Sequence, residues 1–154
     1  MKDLPKPLQE IYIKLAKYCA YQERCTHEIQ EYLKKYTLSD DTENLLIEKL
    51  EQDKFLDDER FATQFVLGKF RIKKWGKIKI RYELKQKRIS EELIQNALDS
   101  IPDEEYYAVL KQLIQKSGYN TQNYSDKVKL LRYLQSKGYD YEEIKQVLTN
   151  IDEL

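Results

Sequence analysis

A motif of six residues recurs in this chain at a nearly constant interval. Leu33-Lys-Lys-Tyr-Thr-Leu38, Leu84-Lys-Gln-Lys-Arg-Ile89 and Leu134-Gln-Ser-Lys-Gly-Tyr139 each run from an apolar residue through four mostly polar ones to a second apolar residue. Each is followed by a segment with paired apolar positions: Leu45/Leu46 with Leu50, Leu93/Ile94 with Leu98, and Ile144 with Leu148. Upstream, Phe61-Ala62 corresponds to Tyr107-Ala108. A fixed period of this size is the mark of a repeat array. It predicts three tandem three-helix units over 1–54, 55–101 and 102–154. None is large enough to bury its own apolar face, so neighbours must stack into an elongated, curved array that favours a binding surface over a pocket.

Within each unit, apolar residues fall three and four apart, as at Ile11, Leu15 and Tyr18, which is the period of an amphipathic helix. Only four glycines and three prolines punctuate the 154 residues, too few for the tight turns of an all-β domain. The glycines are also too scattered for a phosphate-binding loop. The one competing signal is the alternation over 77–82, but Ile80 and Leu84 continue a helical stripe, and a lone strand would have no partner. Nine helices are predicted, over 8–23, 26–36, 41–53, 58–73, 76–87, 91–99, 103–116, 124–137 and 141–150. Asp40 with Glu43 and Asp140 with Glu143 have capping-box spacing, Ser90 precedes Glu91-Glu92 as a simpler cap, and Gly138 suits a left-handed helix end. Residues 117–125 are the longest polar, turn-rich stretch and are expected to form a mobile connector.

The charge balance conceals an asymmetry. Lys+Arg and Asp+Glu both number 27, so the net charge is zero. Between Lys69 and Arg88, however, ten basic residues face one acid, Glu83, leaving +9 on this segment and −9 on the remainder. On a helix, Lys77, Arg81, Lys85 and Arg88 form one stripe while Ile80 and Leu84 lie on another face. Such a ridge suits phosphate backbones or an acidic protein surface; the plainer reading is a solvated face. Trp75 within the run fits a core anchor better than a base-stacking platform. The thirteen tyrosines, crowded in the third unit, suit thin repeat cores better than a partner interface.

Catalysis requires converging groups with matched proton affinities, and few are on offer. His27 is the single histidine, and Cys19 and Cys25 are the only thiols; a nucleophile-and-base set from these three is the only enzymatic reading, and no known nucleophile motif surrounds them. Two isolated cysteines form neither a disulfide framework nor a zinc site, so a reducing, cytoplasmic setting is expected, with no cofactor and no metal. Asp57-Asp58-Glu59 reads as acids at a helix start rather than as a metal site. Lys14 and Lys17 interrupt the apolar positions near the start of the chain, and no run of 18 apolar residues exists, so neither a secretory segment nor a membrane span is expected.

At these residues the chain resembles the RecX family, regulators of the RecA recombinase. The second unit carries the likeness most clearly: Phe55-Leu56-Asp57-Asp58-Glu59-Arg60-Phe61-Ala62, Phe65, the basic Phe70-Arg71-Ile72-Lys73-Lys74-Trp75-Gly76, Ile80, Glu83-Leu84 and Lys87-Arg88-Ile89-Ser90. The first unit adds Cys19-Ala20-Tyr21-Gln22-Glu23-Arg24-Cys25 with Glu28-Ile29, and the third adds Lys137-Gly138-Tyr139. Two positions depart from the family pattern: Arg88 stands where the family usually has glycine, and Cys25 where it often has serine. The first requires the helix end to accept an arginine or to close differently.

The resemblance implies three tandem three-helix repeats, each similar to a helix-turn-helix, that bind along the groove of a RecA–DNA filament and inhibit the recombinase by blocking or destabilising the filament, without covalent chemistry. A monomer is expected, with any DNA contact made within the filament. Contact with the filament or with nucleic acid is assigned to Lys69, Arg71, Lys73, Lys74, Lys77, Arg81, Lys85 and Arg88, more on charge than on motif, and structural roles to Phe61, Phe65, Trp75, Ile80 and Leu84. The alternative is a helix-turn-helix-like DNA-binding module acting through the basic second unit. The two expectations differ in whether the protein prefers the filament or binds bare DNA equally well.

Overall fold

In the computed structural model, which describes residues 4–152, the chain folds into helices α1 (Lys6–Tyr21), α2 (Thr26–Leu33), α3 (Asp40–Gln52), α4 (Asp58–Lys73), α5 (Lys77–Gln86), α6 (Glu91–Asp99), α7 (Asp103–Lys116), α8 (Tyr124–Lys137) and α9 (Tyr141–Asp152). There is no strand among the described residues. The 77–82 segment is helical because Ile80 and Leu84 are fully buried on one face. Two boundaries differ from expectation at the start of the chain. Pro7 sits in the first turn of α1, where its missing N–H costs nothing, so the helix begins at Lys6; it ends at Tyr21 because Gln22 is extended. The last turn expected of α2 tightens into a 3-10 turn over Lys34–Tyr36.

The helix starts follow local chemistry. Asp140 and Glu143 form the expected reciprocal box: the Asp140 N–H donates to Glu143 Oε1 at 2.9 Å and the Glu143 N–H to Asp140 Oδ1 at 2.7 Å. Ser90 accepts from the Leu93 N–H, and Asp57 accepts from the Arg60 N–H at 3.0 Å. Asp40 is not a cap. Ser39 is, accepting from the Thr42 N–H at 3.2 Å, which makes Asp40 the first helical residue. At α2 the cap is Cys25, whose own N–H donates to Glu28 Oε1 at 3.1 Å.

The repeat is visible in the backbone. The fifth residue of each recurring motif, Thr37, Arg88 and Gly138, has a positive φ of 51°, 59° and 105°. In the second and third units the hydrogen bonds also match, Ile89 N–H to the Leu84 carbonyl and Tyr139 N–H to the Leu134 carbonyl, both at 3.1 Å. This closes the helix on itself and returns the final apolar residue to the core. Arg88 adopts the left-handed conformation that glycine would adopt without cost.

Two hydrophobic cores result. One gathers Tyr12, Leu15, Ile29, Leu33, Leu46 and Leu50 from the first three helices. The other runs from Phe61 and Phe70 through Ile80, Leu84 and Ile94 to Tyr106, Leu134, Tyr139 and Ile144, so α4 to α9 share it. Cys25 belongs to this second core although it caps α2, and it thereby pins the first three helices to the rest.

Candidate partner-binding surface

The junctions between units are made by the same structural elements. At the first, the Cys25 thiol donates to the Lys87 carbonyl at 3.9 Å and the Thr26 N–H to Asp58 Oδ1 at 2.8 Å. Arg60 pairs with Glu23 at 2.8 Å and Lys87 with Glu28 at 3.4 Å. At the second, the turn at Gly76 meets the turn at Gly138. The Gly76 N–H donates to the Lys137 carbonyl at 2.8 Å and the Ile78 N–H to the Gly138 carbonyl at 3.0 Å. The Lys77 N–H donates to the Tyr106 hydroxyl at 3.1 Å. Gly76 caps α5 without a side chain, so the open N-terminal amides of this helix find their acceptors in the next unit. A Cβ on Gly76 would lie 2.4 Å from the Gly138 carbonyl carbon, which is why no side chain fits there.

Behind this contact Tyr106 is fully buried between Phe70 and Tyr139, at centroid distances of 5.7 and 5.4 Å. Its hydroxyl donates to Glu143 Oε1 at 3.1 Å. Burial holds the Tyr106 and Tyr139 hydroxyls firmly protonated and raises the Glu143 carboxyl above the usual carboxylate range. The Tyr139 hydroxyl donates to the Lys74 carbonyl at 2.9 Å. Four of the third unit's tyrosines divide between the two roles: Tyr106 and Tyr139 are core, whereas Tyr124 and Tyr141 are exposed.

The basic segment lies along the second unit and its junction with the third. Its cations do not form one free ridge. Because α5 ends at Gln86, the helical stripe is Lys77, Arg81 and Lys85, and Arg88 stands beyond it in the left-handed turn. Arg81 pairs with Glu91 and also bonds Gln95, and Lys85 shares Glu91 at 3.4 Å. Arg71 forks onto Glu105 at 2.9 and 3.1 Å, a pairing that holds the Glu105 carboxyl below its ordinary range. Lys77 Nζ stands 4.7 Å from the Tyr106 ring centre. Lys69 and Lys79 lie 5.1 and 4.5 Å from that of Trp75, which is half-buried and packed against the core. Lys73, Lys74 and Arg88 have no carboxylate partner among the described residues.

Lys137 joins these cations although the sequence reading does not single it out. Its Nζ donates to the Lys73 carbonyl at 2.9 Å. Burial lowers its proton affinity, and the charges of Lys79, Lys73 and Lys74 lower it further. The signal was available in the repeat, since Lys137 occupies the same motif position as Lys87, which meets the first unit.

The residues of the enzymatic reading are placed as structure. Burial pushes both the Cys19 and Cys25 thiols up to about 11, which keeps them protonated and poorly nucleophilic near neutrality. His27 Nε2 lies 3.9 Å from Glu31. The acids at 57–59 serve a helix start and the first junction, as Asp57 and Asp58 show. No helix among the described residues is long and apolar enough to cross a membrane.

Stacked three-helix units, joined at the second junction by backbone hydrogen bonds from turn to turn and at the first by side-chain contacts, place the chain among the tandem helical-repeat proteins. The comparisons narrow this class. Residues 57–98 match a model of the second three-helix domain of RecX, and residues 103–148 one of the third. The regulatory protein RecX of Prosthecochloris aestuarii is 33% identical over 136 residues, covering 87% of this chain and 88% of that protein. That of Lactobacillus johnsonii is 33% identical over 138 residues, covering 88% of this chain and 51% of its own length. The chain spans about half the length of this relative and of those from Halalkalibacterium halodurans and Bacillus cytotoxicus. The crystal structure of RecX from Lactobacillus salivarius superposes with a TM-score of 0.86 at 21% identity, over 98% of this chain and 100% of that one. A second RecX crystal structure gives 0.77 at 22% identity, over 90% and 71%. The chain belongs to the RecX family of regulatory proteins.

Proposed function

We propose that this chain docks on the filament that a RecA recombinase forms on DNA and restrains its ATPase and strand-exchange activities by blocking or destabilising the filament. Membership in a family of regulatory proteins carries this reading. Two features of the molecule favour it over catalysis. The thiols are buried and held protonated, and the units stack into an extended helical array whose basic residues lie along α4, α5 and their junction with the third unit. A groove of about 440 Å³ at the first junction is lined by Phe61, Phe65 and Trp75 together with Lys69, Lys87 and the carboxylates Glu23, Glu28 and Glu83, so it offers that face both apolar and charged contacts.

The test is recombinase ATPase and strand exchange with this protein in excess. Both fall as it is added. Unchanged rates at saturating protein overturn the proposal.

A further inference from the structure

Four lysines without a carboxylate partner among the described residues converge at one place. Lys73 and Lys74 close α4, Lys79 stands in the first turn of α5, and Lys137 closes α8. Lys137 Nζ is bonded to the Lys73 carbonyl at 2.9 Å, and Lys74 Nζ to the Arg71 carbonyl at 3.0 Å. Lys79 is held against the Gly138 turn, its Cβ only 2.5 Å from where a Cβ on Gly138 would stand. None of the four pairs with a carboxylate among the described residues, and Glu105, the carboxylate within electrostatic reach of Lys74, is engaged in the Arg71 fork. Capping of helix C-terminal carbonyls accounts for the bonds of Lys74 and Lys137. The Lys79 ammonium lies 4.5 Å from the Trp75 ring centre, but neither contact supplies a counter-charge for Lys73 or for the four like charges held together.

We propose that this junction is a phosphate-binding site for a nucleic-acid backbone, composed of Lys73, Lys74, Lys79 and Lys137 and complete only when the second and third units are docked. Two observations favour phosphate over an acidic protein surface. Arg71 and Arg81, whose planar forks match carboxylates, are already engaged with Glu105 and Glu91, and Arg88 stands beyond the far end of α5, so the junction presents lysines, compact charges suited to phosphate oxygens. Four cations converging on one junction also suit a polymer that carries one negative charge per ~1.7 Å of duplex axis. A bound backbone would relieve the mutual repulsion of the four lysines and brace the joint between the units. The site does not rest on the recombinase reading, because it predicts binding to bare DNA.

The experiment is fluorescence anisotropy of labelled duplex and single-stranded oligonucleotides with the whole chain, titrated over a range of NaCl. Wild type is compared with Lys73→Gln/Lys79→Gln, with the same pair plus Lys137→Gln, and with Lys127→Gln/Lys145→Gln as a control on the exposed face of α8 and α9. Each site lysine removed is expected to reduce the slope of log affinity against log salt by about 0.9 on a duplex and about 0.7 on a single strand, while the control retains the wild-type slope. The Lys73/Lys79 pair keeps the Lys137 bond to the Lys73 carbonyl, so its result stands even if the triple variant fails to fold. An unchanged slope in that pair, an equal loss in the control, or no wild-type binding overturns the site. Competition by poly-glutamate as strong as by unlabelled DNA assigns the surface to an acidic protein and overturns the nucleic-acid reading. Inhibition of the recombinase, measured on the same variants, separates the outcomes: a failed phosphate site leaves wild-type inhibition in place.

Discussion

Arg88 occupies a left-handed backbone position, φ 59°, whose counterparts are Thr37 and Gly138. A side chain there costs about 1–2 kcal/mol relative to the right-handed region. Arg88→Gly is therefore expected to raise the unfolding free energy by about 1 kcal/mol in denaturant melts; a loss would mean that the arginine side chain contributes more than the backbone strain removes. Gly76 is the opposite case. Its Cβ would meet the Gly138 backbone at 2.4 Å, whereas nothing lies within 4 Å of a Cβ at Gly68 in the middle of α4. Gly76→Ala should cost about 3 kcal/mol, at the upper end of overpacking, while Gly68→Ala should add about 0.5–1 kcal/mol through helix propensity. Equal effects at the two sites would contradict the close approach of the turns. The family resemblance exposed the conflict at Arg88 because the motif states which residue the position wants. It could not show that Gly76 faces Gly138, since that contact joins residues 62 apart. The cap at Ser39 was missed for a smaller reason, because Ser39 and Asp40 are both good caps and a pattern does not choose between neighbours.

At the scale of elements, α9 carries the most informative start. Glu143 serves two functions there, accepting from the Asp140 N–H within its capping box and from the Tyr106 hydroxyl across the junction. Burial raises its carboxyl above the ordinary range, ahead of the opposing hydrogen bonds. A carboxyl that keeps its proton longer in the folded chain than in the unfolded one binds more protons when folded, so stability falls as pH rises through that interval. Glu143→Gln retains an acceptor oxygen and has no proton to lose. Subtracting the variant's profile of unfolding free energy against pH from that of wild type should leave a decline beginning near the usual carboxylate value and levelling off above the raised one. A flat difference would contradict the burial argument. Helix existence and most boundaries were legible from the three-and-four spacing and from caps such as Ser90 and Asp140. The basic site was legible only as a charge count. The carboxylates that neutralise Arg71, Arg81, Lys85 and Lys87 come from Glu105, Glu91 and Glu28, all on other helices, and linear charge density cannot subtract them. Lys137 arrives from another unit and falls outside the charge count over 69–88, so only its motif position, shared with Lys87, points to it.

For the molecule as a whole, the two cores determine how the array holds together. Helices α4 to α9 share one core and are joined by backbone bonds at the Gly76–Gly138 contact, whereas α1 to α3 have their own core and meet the rest through Cys25 and a few polar pairs. This is the stacking that the 50-residue period required, and it leaves α4, α5 and their flanking turns as the face with the greatest concentration of lysine and arginine. A regulator of a recombinase filament needs a surface that recognises protein and DNA together. The most direct measurement is fluorescence anisotropy of the labelled protein against bare single-stranded DNA, free RecA and the RecA–DNA filament with nucleotide, each at two salt concentrations. The regulator account predicts the tightest binding to the filament, persisting at the higher salt. Binding to bare DNA as tight as to the filament, collapsing as salt rises, would contradict it and leave a DNA-binding module in its place.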